Sequence, residues 1–156
     1  MSLYHLDADY LIGFAELFHD HHERALNDLR EWSIAGHVLG ASAVAWREFC
    51  SGKPRPRPPL ELENTRAMLH ARIIRYGRKQ AEKAAELFNQ TGRSKRLKRD
   101  CDIAATAIIA KAELATFNLD DFKRFVPFGL RVVNYTPFPD PFRGQQEDDF
   151  KDRKAC

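Results

Sequence analysis

Short apolar runs at residues 3–6, 37–40, 71–74, 113–117 and 130–133 alternate with longer segments whose apolar residues recur at helical spacing. This alternation limits the fold more than any other feature of the chain. A helix-length connection between successive strands is what a parallel pairing needs, because a tight hairpin can join only antiparallel neighbours. The pattern therefore predicts an α/β sandwich with a mainly parallel, roughly five-stranded sheet between helical layers.

Local signals place the helices. Spacing predicts them over 11–17, 21–32, 43–50, 60–69, 78–89 and 101–112, with a helical turn over 120–125. Ser42 is a cap for the third, and Ser51-Gly52 stops it. Asp100 stands just before the sixth, in a cap position. Residues 53–59, KPRPRPP, hold four prolines and read as a stiff, basic, exposed loop. Residues 93–99, RSKRLKR, read as a second basic loop. From residue 137 to 156 proline, glycine and charge dominate, so the expected organisation is one domain over 1–136 with a flexible tail.

Composition narrows the class. At 156 residues, with 44% hydrophobic residues, the chain suits a single domain with a real core. No apolar run approaches the ~20 residues that cross a bilayer, so no membrane association is expected. The N-terminal MSLYHLDADY is acidic where a secretory leader is cationic and then apolar. Cys50, Cys101 and Cys156 are odd in number and lack metal-like spacing, which points to a reducing cytoplasm. Net charge is +3, but residues 53–99 hold 14 basic and four acidic side chains and the remainder is acidic. One cationic surface suits a polyanion; solvated helix faces are the plainer explanation.

In a parallel sheet, ligands bind beyond the carboxyl ends of the strands. Asp7 follows the first strand, Asp100 opens a helix, and Asn118 and Asp121 follow the fourth strand, so separate segments bring acids and an amide to one edge. Singly, Asp7, Asp9, Asp100 and Asp121 each read equally as turn or cap residues. Glu48 follows Val44 by one turn and runs along an apolar helix face, where a carboxylate needs a cation, a metal or a shared proton. An ion pair with one of the arginines is its structural alternative. Carboxylates from distant segments, without cysteine or clustered histidine, suit hard oxygen-loving cations, Mg²⁺ or Mn²⁺. Their chemistry is displacement at phosphorus, with the basic loops holding flanking phosphates.

Three blocks, LDADYLIGFAE, SAVAWREFCSG and RDCDIAATAIIAKAELATFNLDDF, occur in an order and spacing that resemble the PIN-domain ribonucleases, especially VapC-type toxins of bacterial toxin–antitoxin pairs. The most specific part is D-x-x-I-A-A-x-A followed by T-x-N-x-x-D-F, carried by Asp100, Ile103, Ala104, Ala105, Ala107, Thr116, Asn118, Asp121 and Phe122. Thr91 to Arg93 also fit, and the resemblance spans residues 3–134. It implies a PIN-like three-layer α/β/α sandwich. It implies further that Asp7, Glu48, Asp100 and Asp121 are catalytic and ligate Mg²⁺, with Mn²⁺ as a possible substitute, and that Asn118 assists them. The implied activity is endonucleolytic cleavage of single-stranded RNA. A cognate antitoxin protein and a homodimer are the implied partners. Asp9 departs from the small or hydroxyl residue usual there, and Asp102 is a competitor for the role given to Asp100.

Asp7-x-Asp9 after a strand is similar to the nucleophile motif of haloacid-dehalogenase phosphatases, which leaves Glu48 without a role. His19-Asp20-His21-His22 lacks the spacing of a closed zinc site and reads as a solvated helix start. Trp46, Phe49 and Phe88 read as core. Ser42 is a helix cap first and a hydrogen-bonding site residue second. A PIN-like scaffold that binds RNA or protein without catalysis is the non-enzymatic alternative.

Overall fold

Strand β1 (Leu3–Leu6) is the middle of a five-stranded sheet ordered β3-β2-β1-β4-β5. The computed structural model describes residues 1–137, so from residue 138 onward the tail foreseen at 137–156 lies outside the described residues. Every pairing is parallel. β1 joins β2 (Val38–Ser42) with Leu3 against Val38, and β4 (Glu113–Ala115) with Tyr4 against Glu113. β3 (Ile73–Ile74) and β5 (Arg131–Val132) close the two edges. The chain runs outward from β1 to β2 and β3, then returns to place β4 on the other side of β1. The strand order therefore reverses between β1 and β4, and the crevice beyond their carboxyl ends is where such sheets bind ligands.

Among the described residues seven α-helices cover the two faces: α1 (Ala8–Ala15), α2 (His22–Ile34), α3 (Ala43–Ser51), α4 (Pro59–Met68), α5 (Arg78–Gln90), α6 (Lys98–Ile109) and α7 (Leu119–Phe122). Alternation along β1 and β4 sends successive side chains to opposite faces. Leu6 and Ala115 join Tyr10 and Leu11 of α1 and Ala25, Leu29 and Trp32 of α2 in one core cluster. Leu114 enters the other, with Ala84 and Leu87 of α5 and the Ile103–Ala107 stretch of α6. Helix α3 bridges the two, giving Val44 and Ala45 to one cluster and Phe49 to the other. The three-layer α/β/α arrangement foreseen from the alternation is the fold, and the sheet is wholly rather than mainly parallel. None of the described helices is long and apolar enough to cross a membrane.

Three local expectations change. Helix α1 begins at Ala8, directly after the strand, because Asp7 caps it by accepting from the Ala8 amide at 2.8 Å. The 93–99 segment is not a loop: a 3₁₀ turn at Lys95–Leu97 runs straight into α6 at Lys98. Asp100 consequently lies inside the first turn of α6 rather than capping it, where the helix dipole favours its charge. Ser42 does cap α3, its Oγ accepting from the Ala45 amide at 3.0 Å. At the far end Gly52 terminates α3 with φ +63°, and a Cβ there would lie 2.2 Å from the Arg55 carbonyl.

The proline-rich loop is exposed over most of its length, as its composition foretells, but Arg57 folds back under it. Its side chain is only 5% exposed; Nη2 reaches Glu16 at 3.0 Å and Nη1 reaches Glu61 at 3.2 Å. The same guanidinium lies over the Phe49 ring and donates Nε–H to the Phe49 carbonyl. Arg57 is thus spent on holding α1, α3, α4 and the loop together.

Candidate active site

The β1–β4 crevice is built from the ends of two strands. Asp7 ends β1 and is 6% exposed, its backbone amide bonded to the Ala115 carbonyl of β4 at 2.9 Å. Its Oδ1 accepts from the Ala8 amide, and its Oδ2 accepts from the Thr116 hydroxyl at 2.9 Å. Asp9 stands beside it on α1. Asp9 Oδ2 accepts from the Phe117 amide at 2.8 Å and lies 3.2 Å from the same Thr116 hydroxyl, while its Oδ1 is buried without a hydrogen-bond partner. Burial, and then the charge of Asp9, push the Asp7 pKa well above the ordinary carboxylate value; burial likewise raises that of Asp9. One Thr116 proton serves two carboxylates, so this corner of the site carries more negative charge than its own hydrogen bonds neutralise.

Glu48 on α3 and Asp100 on α6 face each other across a guanidinium. Arg99 Nη1 donates to Glu48 Oε1 at 2.6 Å, and Arg99 Nη2 donates to Asp100 Oδ1 at 3.3 Å. Asp100 is 2% exposed, and burial raises its pKa against the lowering effect of Arg99. The arginine partner that the sequence offers as Glu48's structural alternative is therefore present. Asp121 on α7 accepts Asn118 Nδ2–H at 2.8 Å and lies 3.3 Å from Arg96 and 3.6 Å from Arg124. The Asn118 hydrogen bond, outweighing partial desolvation and helped by Arg96, holds the Asp121 pKa below the usual range.

These acids form one electrostatic neighbourhood. Asp7 feels Glu48, Asp100 feels Asp121, and Arg99 feels Asp7 as well as its two direct partners. All five residues singled out from the sequence, Asp7, Glu48, Asp100, Asn118 and Asp121, thus contribute to a single region at the carboxyl edge. Among the described residues, however, no three acidic, histidine or cysteine side chains stand together as a ready metal cage. The intervening charges are Arg96, Arg99 and Arg124. Ser42 is occupied as a cap, and Asp102 accepts from the Tyr76 hydroxyl instead of joining the acids.

The sequence assigns no role to Thr116 or Arg124, and reads Arg96 and Arg99 as loop cations for flanking phosphates rather than as partners of the acids. Thr116 lay within the T-x-N block but received no role. Arg99 had a signal, since it immediately precedes a helix acid, yet only the fold brings Glu48 within its reach. Phe117 adds a stacked column beside Asp9, sandwiched between Tyr10 at 4.0 Å and His21 at 4.2 Å. His21 stacks there on the Phe117 ring.

The PIN domain family model matches residues 4–126. Among solved structures, a Klebsiella pneumoniae toxin–antitoxin complex aligns at 24% identity over 88% of this chain and 100% of its own, with TM-score 0.60. VapBC2 of Rickettsia felis, bound to a promoter DNA fragment, aligns at 22% identity over 86% and 99%, with TM-score 0.58. FitAcB of Neisseria gonorrhoeae aligns at 19% identity over 86% and 97%, with TM-score 0.63. At these identities the likeness is one of fold. No curated protein matches the chain.

Proposed function

This chain belongs to the PIN-domain family, and from that premise we propose that it is a metal-dependent endoribonuclease, the toxin of a toxin–antitoxin pair. The observation that supports the reading is that Asp7, Glu48, Asp100 and Asp121, drawn from separate segments, influence one another's charge, with Arg99 bridging Glu48 and Asp100. Buried carboxylates gathered against one another are costly unless a cation offsets them. The unpartnered Asp9 Oδ1, and the burial of Asp7 with the Asp9 charge beside it, leave these two carboxylates short of an offsetting partner.

The donor set is all oxygen, which fits Mg²⁺, or Mn²⁺ in its place, and does not fit zinc. Asp7, Glu48, Asp100 and Asp121 would hold the ion. When bound, it supplies Lewis-acid activation of water and neutralises charge on the scissile phosphate and the leaving oxygen. The remaining work falls to the chain. Thr116 fixes the rotamer of Asp7, and Asn118 orients Asp121 through its amide. Lys53 and Arg55, exposed on the proline-rich loop, are available for flanking phosphates, whereas Arg57 is not.

RNA as substrate rests on the family resemblance and on the cationic 53–99 stretch. An antitoxin partner rests on the same resemblance, on the toxin–antitoxin complexes among the fold neighbours, and on exposed Leu17, Phe18 and Leu60. Leu17 and Phe18 line a hollow of about 610 Å³ that Glu61, next to Leu60, completes. A homodimer follows from the resemblance alone.

One observation favours a second reading, a scaffold that binds RNA without cutting it: arginines already neutralise three of the four acids. The two readings part on a mixed pool of structured and single-stranded RNA, incubated with Mg²⁺, Mn²⁺ or EDTA. The nuclease gives cuts that EDTA abolishes and that Glu48→Gln loses. The scaffold gives no cuts and an RNA affinity that Glu48→Gln leaves intact.

A further inference from the structure

Arg99 occupies an unusual position among the acids. It sits in the first turn of α6, directly before buried Asp100, and its fork spans two carboxylates contributed by different helices. A guanidinium bridging Glu48 of α3 to Asp100 of α6 does with one positive charge part of what a divalent ion between them would do. It offsets one of their two negative charges and ties the two helices together. Arg99 is nevertheless 48% exposed, so its head can leave for solvent while its stem stays on the protein. The guanidinium end of the pair is open to solvent, so water and a competing cation can both reach it. Asp100 cannot follow, being buried, and needs a replacement cation once Arg99 departs.

We propose that Arg99 is the resident counter-cation of the metal-free centre, and that a divalent ion binds Glu48 and Asp100 by displacing it. This inference rests on the proposed metal-binding function of the site and adds an exchange step to it. Arg99 is in this sense a positioning residue. It keeps Glu48 and Asp100 together and partly offset until the ion arrives, at the expense of the ion's affinity.

The test is calorimetric titration of the full chain with Mn²⁺ alone, without RNA, on wild type and on Arg99→Gln, Arg99→Lys and Lys98→Gln. Lys98 neighbours Arg99 and has the same charge but is placed over the Phe88 ring rather than on an acid, so it controls for the general loss of a positive charge. The expected result is a three- to tenfold gain in Mn²⁺ affinity for Arg99→Gln, a smaller gain for Arg99→Lys, whose point charge bridges two carboxylates poorly, and little change for Lys98→Gln. Metal-free Arg99→Gln should also melt earlier than wild type and recover more of its melting temperature on adding Mn²⁺. Equal gains for Arg99→Gln and Lys98→Gln, or unchanged or weakened binding in Arg99→Gln, overturn the exchange while leaving the metal site standing. If Arg99→Gln does not fold, the order of Arg99→Lys and wild type decides. If neither wild type nor any variant binds Mn²⁺, the metal reading and the exchange fall together.

Discussion

Arg99 Nη1 lies 2.6 Å from Glu48 Oε1, joining the second residue of α6 to the sixth of α3 across a chain separation of 51 residues. The pair matters because the same guanidinium also reaches Asp100, so the charge balance of the acidic region depends on one half-exposed side chain. Asp7 and Asp9, on the other side of the region, have no arginine in contact. The site therefore has a neutralised half and an electrically strained half, and the predictions follow from that division.

Asp9 is the clearest source of the strain. Asp9→Asn keeps an oxygen to accept from the Phe117 amide while removing the charge that raises Asp7. Folded pKa values above the unfolded ones give stability that is present below the ordinary carboxylate value and lost as pH rises through the folded pKa. The metal-free Asn variant should therefore be the more stable at pH 8, by on the order of 1 kcal/mol, a melting rise of about 2–4 °C for a domain of this size. Near pH 4 the difference should vanish. Differential scanning calorimetry at the two pH values checks both points.

Cation binding should strengthen with pH for the same reason. A proton on Asp7 competes with the ion, and ligands must be deprotonated before they bind. The melting-temperature rise produced by a fixed Mn²⁺ concentration is expected to grow from pH 6 to pH 8 in wild type, and to grow less in Asp9→Asn. A rise independent of pH in both proteins would remove Asp7 from the ligand set.

His5 gives a separate acid-side signature. It is 1% exposed on the central strand, neither ring nitrogen has a partner, and burial holds its pKa down to about 4. The unfolded chain therefore binds the extra proton between about pH 6.5 and 4, and stability from this group is lost as pH falls through that window. The loss is roughly 3 kcal/mol at full extent. His5→Leu should flatten the acid limb relative to wild type in urea unfolding measured at several pH values. Parallel limbs would show that the ring is not buried neutral.

The two kinds of arginine on the proline-rich loop should separate cleanly. Arg57→Ala breaks contacts to Glu16, Glu61 and the Phe49 ring and should cost about 1–3 kcal/mol of stability. Lys53→Ala with Arg55→Ala should leave stability unchanged and lower the salt slope of RNA binding by up to about 0.7 per charge. Urea unfolding and filter binding across a salt series measure the two effects.

The strand–helix alternation was legible because each strand is short and apolar and each crossover carries its own helix period. The D-x-x-I-A-A-x-A block was legible too, since Ile103, Ala104, Ala105 and Ala107 all pack in the core that fixes Asp100. Element ends were less so. Asp100 reads as a cap because an acid before an apolar helical run usually is one, yet the 3₁₀ turn ahead of it lets α6 start at Lys98. Charge pairing was the least legible. The arginines at 57, 96 and 99 read as free cations for RNA, and the fold turns each of them onto a carboxylate distant or near in sequence. Such pairings depend on tertiary distances that no local pattern encodes.

The most direct test of the account is single-turnover cleavage, in Mn²⁺, of one RNA that the wild type cuts, by wild type and Asp7→Asn side by side. Asparagine keeps the Oδ1 that caps α1, turns the Thr116 contact into one that its own Nδ2–H donates, and removes the charge that would hold the ion. The account predicts a cleavage rate at least about a hundredfold lower in a variant that melts no earlier than wild type. Equal rates from the two proteins would contradict it.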